Sequence, residues 1–199
     1  MLVTGIKSRP VYTTLGPDLG GRYHLLVGQG SGGDALLRLL SRMPDGADTQ
    51  VLYATESLSG TDRSEPLRAR GLLDLRVFAT MAEAVAVLDR TLAGCFMGMR
   101  LYVAGSESFI GSVVQVATKY NLNGDEVQRE HCGSTARRVY CIHCKASNDN
   151  VRTNIVKCTG CGRHLLVRDH YSRRLSAYMG VMADAESPGE LPPVQEVFA

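Results

Sequence analysis

The chain has 199 residues, of which 44% are hydrophobic and 21% charged, a composition typical of soluble globular proteins. No segment approaches the ~18 consecutive apolar residues of a spanning helix, so we do not expect an integral membrane protein. The net charge of +2 is uneven: residues 131–180 carry nine Lys and Arg against two Asp and Glu, and residues 181–199 carry four acidic and no basic residues.

The first residues, MLVTGIKSRPVYTTLG, lack the continuous apolar core of a secretory signal. This favours a cytoplasmic location, where thiols stay reduced. Paired cysteines in that compartment more often bind metal or perform redox chemistry than form disulfides.

Apolar runs and helical periodicity alternate through the first two thirds of the chain. Ala, Leu and Glu favour a helix at 81–94, which Gly94 closes, and Ser106 is placed to cap a further helix at 106–120. In chain order the sequence predicts a strand at 22–27, a helix from Asp34, strands at 50–55 and 73–79, a helix at 81–94, a strand at 99–105, a helix at 106–120 and an edge strand at 126–130.

This alternation predicts a doubly wound α/β fold with a parallel sheet, because right-handed crossovers place helices on both faces. We expect this domain at 18–130. After His131 glycine and cysteine become frequent, which indicates a small metal-binding module at 131–182. The proline-containing acidic tail at 183–199 is expected to be largely extended.

A glycine-rich turn, GQGSGG, separates the first predicted strand from the first helix. Gly28, Gly30 and Gly33 lie in the GxGxxG register that places a pyrophosphate against a helix N-terminus. Glu56, after the second strand, is a candidate ribose contact. A turn that binds nothing explains the same glycines, so the sequence leaves both interpretations open.

Four cysteines form two CxxC pairs with thirteen residues between them: Cys141 with Cys144, and Cys158 with Cys161. Two such turns at hairpin tips can complete a tetrahedron of thiolates around zinc or a single iron. Gly162 can adopt the positive φ that such a turn needs. A metal would also help so small a module to fold.

The other candidate ligands near these pairs are His143 and His164, which we expect to stay outside a shell that four thiolates already fill. Cys95 and Cys132 are expected to be unpaired thiols.

Residues 131–180 carry an excess of positive charge. Four thiolates around a divalent metal leave a net charge of −2, and part of the basic excess should balance it. The rest suits an acidic protein partner better than nucleic acid, since no long Lys-rich run is present.

Three stretches of the first domain, YHLLVGQGSGGDALLRLL, QVLYATES and LYVAGSESFIGSVVQVATKYNLNGDEVQRE, resemble the nicotinamide-binding half of ferredoxin reductase-like flavoproteins. The chain departs from that pattern, because Ala104 stands where the reductase cysteine is expected and the Thr-Pro after the glycine turn is absent. Too few residues precede the first strand for a flavin-binding barrel.

Together with ARRVYCIHCK and CTGCGRHLLVRDHYSRRLSAYMGV, these stretches resemble the DmmA-like accessory subunits of bacterial haem-dependent dimethylamine monooxygenases. The resemblance implies a heteromeric, NADPH-dependent complex that oxidises dimethylamine to methylamine and formaldehyde. Haem would belong to a catalytic partner subunit, and flavin with an iron-sulfur cluster to a reductase partner subunit. Only the four cysteines carry over to this chain as site residues.

Three functions therefore compete: a metal-stabilised subunit that assembles or couples such a complex, a rubredoxin-like one-electron carrier in the same type of complex, and a zinc-ribbon regulator that binds nucleic acid. The sequence shows no acid, base and nucleophile that can be placed together. We therefore assign no catalytic residue to this chain.

Overall fold

The computed structural model describes residues 8–95 and 97–198, which form two compact units. The first unit spans residues 12–134. The second comprises residues 135–198 together with residues 8–11. The domain limits expected from the sequence, 18–130, 131–182 and 183–199, remain predictions.

The first unit contains a five-stranded sheet in which every neighbouring pair is parallel. Its order is β3-β2-β1-β4-β5. β2 and β3 are added on one side of β1, whereas β4 and β5 are added on the other. The gap between the carboxyl ends of β1 and β4 is therefore a topological switch point. The strands are β1 (Tyr23–Gln29), β2 (Asp48–Ala54), β3 (Asp74–Phe78), β4 (Met99–Gly105) and β5 (Val127–His131).

Helices cover both faces of this sheet, which confirms the predicted doubly wound α/β fold. One apolar core contains Phe109 and Leu88 from the helices of one face, and the other contains Leu36 and Leu67 from those of the opposite face. The helices are α1 (Gly32–Leu40), α2 (Ser64–Arg68), α3 (Met81–Leu92) and α4 (Glu107–Lys119).

The segment that precedes β1 lies along the edge strand β5. The N–H of Thr13 donates to Arg129 O at 3.1 Å, and the N–H of Leu15 donates to the Glu130 carboxylate at 2.7 Å. Leu15 is buried in the apolar core on the side of the sheet that α1 covers. The α/β unit therefore includes residues before position 18.

The second unit is a five-stranded sheet in the order β7-β6-β10-β9-β8. Only β10 with β6 is a parallel pair; the other three pairs are antiparallel. Its strands are β6 (Arg137–Cys141), β7 (Ser147–Val151), β8 (Ile155–Lys157), β9 (His164–Ser172) and β10 (Ala177–Met182).

The end of the C-terminal tail is fastened to this second sheet. The N–H groups of Val197 and Phe198 both donate to Arg152 O at 2.9 Å, and Glu196 forms an isolated bridge with Thr153. Phe198 packs against the apolar core of the unit. Residues 183–189 form turns and bends, and the last described residues pair with the loop between β7 and β8.

Among the described residues, no helix is long and apolar enough to cross a bilayer.

Candidate metal centre and glycine turn

The two CxxC pairs occupy equivalent turns at two hairpin tips. In the β6–β7 turn, the N–H of Cys141 donates to Ala146 O and the N–H of Lys145 donates back to Cys141 O, both at 2.9 Å. The β8–β9 turn repeats this pattern: the N–H of Cys158 donates to Arg163 O at 2.8 Å, and that of Gly162 to Cys158 O at 2.9 Å.

The residue after each CxxC pair has a left-handed backbone conformation, with φ of 69° at Lys145 and 73° at Gly162. Glycine adopts this conformation without a steric penalty, whereas a residue with a Cβ is strained by roughly 1–2 kcal/mol. The sequence indicated this geometry at Gly162 only. Lys145 shows that the first turn keeps the same geometry at an energetic cost.

These turns bring the four predicted thiols together, and their ligand atoms all lie within 4.8 Å of one another. The Sγ atoms of Cys141 and Cys161 are 3.8 Å apart, and those of Cys144 and Cys158 are 3.6 Å apart. A regular tetrahedron with zinc–sulfur bonds of about 2.3 Å has edges of about 3.8 Å. The thiols therefore fit a tetrahedral metal ion without rearrangement of the backbone.

Asn148 in β7 links the two turns. Its buried side chain donates to Cys158 Sγ at 3.8 Å, and its Oδ1 accepts from the N–H of Thr159 at 2.8 Å. Such groups orient metal ligands and hold them in place. Sequence reasoning missed Asn148, since a polar residue in a short polar strand gives no sign that it will be buried.

Neighbouring donors favour the thiolate form of the second pair. Burial alone would raise the pKa of Cys158, but hydrogen bonds from Cys161 N–H, Gly160 N–H and the Cys144 side chain lower it to about 6. The backbone and side chain of Arg163 both lower the pKa of Cys161. Thiolates are the form that binds metal.

The remaining candidate ligands lie outside this cluster. His143 and His164 are exposed and are not among its members. Cys95 and Cys132 belong to the α/β unit, where burial raises the pKa of both thiols, that of Cys132 to about 11.

The predicted glycine turn connects β1 to α1 at the switch point of the parallel sheet. Gly28 lies in β1, Gly30 in the turn and Gly33 in the first turn of α1. The carboxylate of Glu56, the candidate ribose contact, accepts a hydrogen bond from the N–H of Met81, the first residue of α3, at 2.7 Å, and its role towards a nucleotide stays a prediction. A carboxylate is stable there because it faces the positive end of a helix.

Comparison with protein-family models matches both parts of the chain. Residues 4–127 match the N-terminal domain and residues 138–181 the C-terminal domain of the family described as dimethylamine monooxygenase subunit DmmA-like. The chain belongs to the DmmA-like family. The resemblance noted in the sequence is thereby confirmed.

One curated relative is the heme-dependent oxidative N-demethylase delta subunit of Ectopseudomonas mendocina (strain ymp). It is 36% identical over 116 residues, a match that covers 58% of this chain and 66% of the relative, slightly less than two thirds of its length. The relative is a subunit of a haem-dependent oxidoreductase.

Two solved structures are similar at a lower level. A phthalate dioxygenase reductase matches with a TM-score of 0.46 and 16% identity, over 72% of this chain and 47% of that one. An intact type IV self-sufficient cytochrome P450 monooxygenase matches with a TM-score of 0.47 and 17% identity, over 67% of this chain and 19% of that one.

Proposed function

We propose that this chain is a metal-stabilised accessory subunit of a cytoplasmic, NADPH-dependent and haem-dependent dimethylamine monooxygenase. In that role it assembles or couples a haem-containing catalytic subunit and a reductase subunit that holds flavin and an iron-sulfur cluster. Membership of the DmmA-like family carries this proposal. The complex would convert dimethylamine, O₂, NADPH and a proton into methylamine, formaldehyde, water and NADP⁺.

Within the complex, Cys141, Cys144, Cys158 and Cys161 would hold zinc. Zinc bound by four thiolates leaves no open coordination position for substrate, so it would supply folding energy rather than catalysis. The four thiolates belong to two separate hairpin tips. The metal therefore fixes β6 and β7 to β8 and β9, and the surface of this unit would be ordered for a partner.

The charge distribution favours a protein partner over nucleic acid. Arg137 and Arg138 form salt bridges with Asp169 and Asp149, and Arg163 interacts with the thiolate of Cys161. These cations are engaged within the unit itself, which reduces the charge that could neutralise phosphates.

Coexpression with the two partner subunits tests the proposal. A tag on the haem subunit should retain this chain and the reductase subunit together, and amine-dependent NADPH oxidation should be coupled to formaldehyde formation. With Cys158→Ser in this chain we expect loss of retention, whereas Cys95→Ser, outside the cluster, should behave like the wild type. A haem and reductase pair that is fully active and coupled without this chain would refute the proposal.

Exposure of the cluster gives a second candidate function some support. Cys144 is exposed, and Ile142 in the same turn is 38% exposed. An iron ion at this site would lie near the surface, where a rubredoxin-like centre can exchange single electrons with a partner. Iron tetrathiolate is red and bleaches on reduction, so colourless protein with stoichiometric zinc removes this alternative.

A further inference from the structure

We propose that the crevice at the carboxyl ends of β1 and β4 is occupied by this chain's own side chains and does not bind a dinucleotide. The NADPH that the proposed complex consumes would then bind to another subunit. The inference concerns the α/β unit alone and does not depend on the proposed function. It rests on the glycine turn and on the N-termini of α1 and α4, the helices that meet the crevice from opposite faces.

Close packing within the protein accounts for the glycines themselves. In a dinucleotide site, a glycine lets the backbone approach the pyrophosphate. Here a Cβ on Gly30 would lie 2.7 Å from the side chain of Ser57, and a Cβ on Gly33 would lie 2.5 Å from Cβ of Arg63. The space that these glycines leave is therefore filled by residues that follow β2.

A second contact covers the start of α1. A Cβ on Gly133, in the segment after β5, would lie 2.8 Å from Oγ of Ser31, the N-cap residue. On its other side, a Cβ on Gly32 would lie 2.1 Å from the carbonyl oxygen of Ala104 at the end of β4. The end of β4 and the segment that follows β5 thus both approach the start of α1 closely.

The charges at this helix terminus also oppose an anion. The N-terminus of a helix attracts phosphate because its N–H groups are free and its dipole is positive. In α1 the acidic Asp34 lies in the first turn, where its carboxylate accepts a hydrogen bond from Arg63 Nε at 2.7 Å. The N–H of Gly30 is already bonded to Ala54 O at 3.0 Å. Asp34 therefore adds negative charge to the end of α1 at which a pyrophosphate would need positive potential, and it also engages the Arg63 guanidinium.

The N-terminus of α4 is occupied in a similar way. Its first residue, Glu107, is 7% exposed and accepts a hydrogen bond from the Tyr12 hydroxyl at 3.1 Å. The Tyr12 ring packs against the imidazole of His131, the last residue of β5, with ring centroids 5.6 Å apart. In addition, Gln29 Oε1 accepts from the hydroxyl of the N-cap residue Ser106 at 2.7 Å. A buried carboxylate and two aromatic rings thus fill this end of the crevice.

Titration of the purified full-length chain with NADPH, and separately with NADH, tests the inference. Isothermal calorimetry and thermal unfolding should both show no saturable effect at 1 mM of either nucleotide, a concentration of about 100 times a Kd of ~10 µM. A ligand that bound with that Kd would stabilise the folded state by about 2.7 kcal/mol, which is a shift of several degrees in the midpoint. The reductase subunit serves as the positive control.

Saturable stabilisation by NADPH, together with slower hydrogen exchange in the first turn of α1, would overturn the inference. That result would leave the proposed function intact, because a nucleotide-binding subunit can still belong to the complex. Conversely, a chain that binds no nucleotide and also fails to copurify with the partner subunits would support this inference and remove the proposed function.

Discussion

Replacing Arg137 should weaken the second unit far more than replacing its neighbour Arg138. The Arg137 side chain is 8% exposed and donates to the Asp169 carboxylate at 2.8 Å. Its guanidinium carbon lies 3.9 Å from the ring centroid of Tyr178 and 3.8 Å from that of Phe198. Arg138 instead pairs with the more exposed Asp149.

The expected magnitude follows from these contacts. A desolvated cation–π contact contributes up to about 2 kcal/mol, and a hydrogen bond to a charged group about 1.5–3 kcal/mol. Asp169 also pairs with Arg9 at 2.5 Å and would not be left without a cation. We therefore expect Arg137→Leu to destabilise the unit by roughly 3 kcal/mol. Arg138→Leu should cost less, on the order of 1 kcal/mol, because its partner Asp149 is 41% exposed and Arg138 has no stacked aromatic ring among the contacts described.

Hydrogen exchange measured by mass spectrometry on peptides from β6 and β10 reads this difference locally. A loss of about 3 kcal/mol corresponds to exchange more than a hundredfold faster, provided that the equilibrium between closed and open states sets the exchange rate. Exchange in α3 and α4 should not change. Equal acceleration in the Arg137→Leu and Arg138→Leu variants would refute the idea that the two aromatic rings and Asp169 hold this end of the sheet.

Further predictions concern the C-terminal tail, the dependence of stability on pH, and Gly160, which packs against the cysteine cluster. Deletion of residues 193–199 removes Phe198 from the guanidinium of Arg137 and should cost about 1–2 kcal/mol, seen as faster exchange in β6; unchanged exchange would show that the tail does not stabilise the sheet. Burial lowers the pKa of His24 below its ordinary value of 6.5, so unfolding takes up a proton and stability falls as the pH drops below about 6.5, by at most about 1.4 kcal/mol per pH unit. His24→Gln should flatten this dependence in urea titrations at pH 7.5 and 5.5, and an equally steep dependence in the variant would contradict the assignment. A Cβ on Gly160 would lie 2.7 Å from Cβ of Ala146 and 3.0 Å from Cys144 Sγ, so Gly160→Ala should weaken metal retention against a chelator about tenfold. Gly124→Ala, where a Cβ has nothing within 4 Å, is its control, and equal retention by both variants would contradict the steric argument.

The α/β fold was predictable because each of its main elements carries a local signal. The strand 99–105 was predicted at its observed limits, and Ser106 caps α4 through a hydrogen bond from the N–H of Phe109. The five-residue helix α2 was missed, since Pro66 in a charged segment looks like a connection. Proline is tolerated in the first turn of a helix, where its missing N–H has no intrahelical partner.

The cysteine cluster was predictable from spacing, but its supports were not. CxxC turns place their sulfurs by local geometry, so four positions in the sequence sufficed. Asn148, Asp169 and Phe198 act through contacts between residues far apart in the chain, which no local pattern encodes. For the same reason, GxGxxG spacing did not reveal that Ser57 and Arg63 pack against the glycines.

Metal analysis of the purified full-length chain tests the central claim most directly. Protein prepared without added metal, measured by inductively coupled plasma mass spectrometry, should contain one zinc per chain, and Cys158→Ser should lose it. Limited proteolysis of the variant should then cleave within residues 135–182 and leave the α/β unit intact. If the purified wild-type protein contains no metal and its second unit nevertheless resists proteolysis, the claim that a metal ion organises that unit is contradicted.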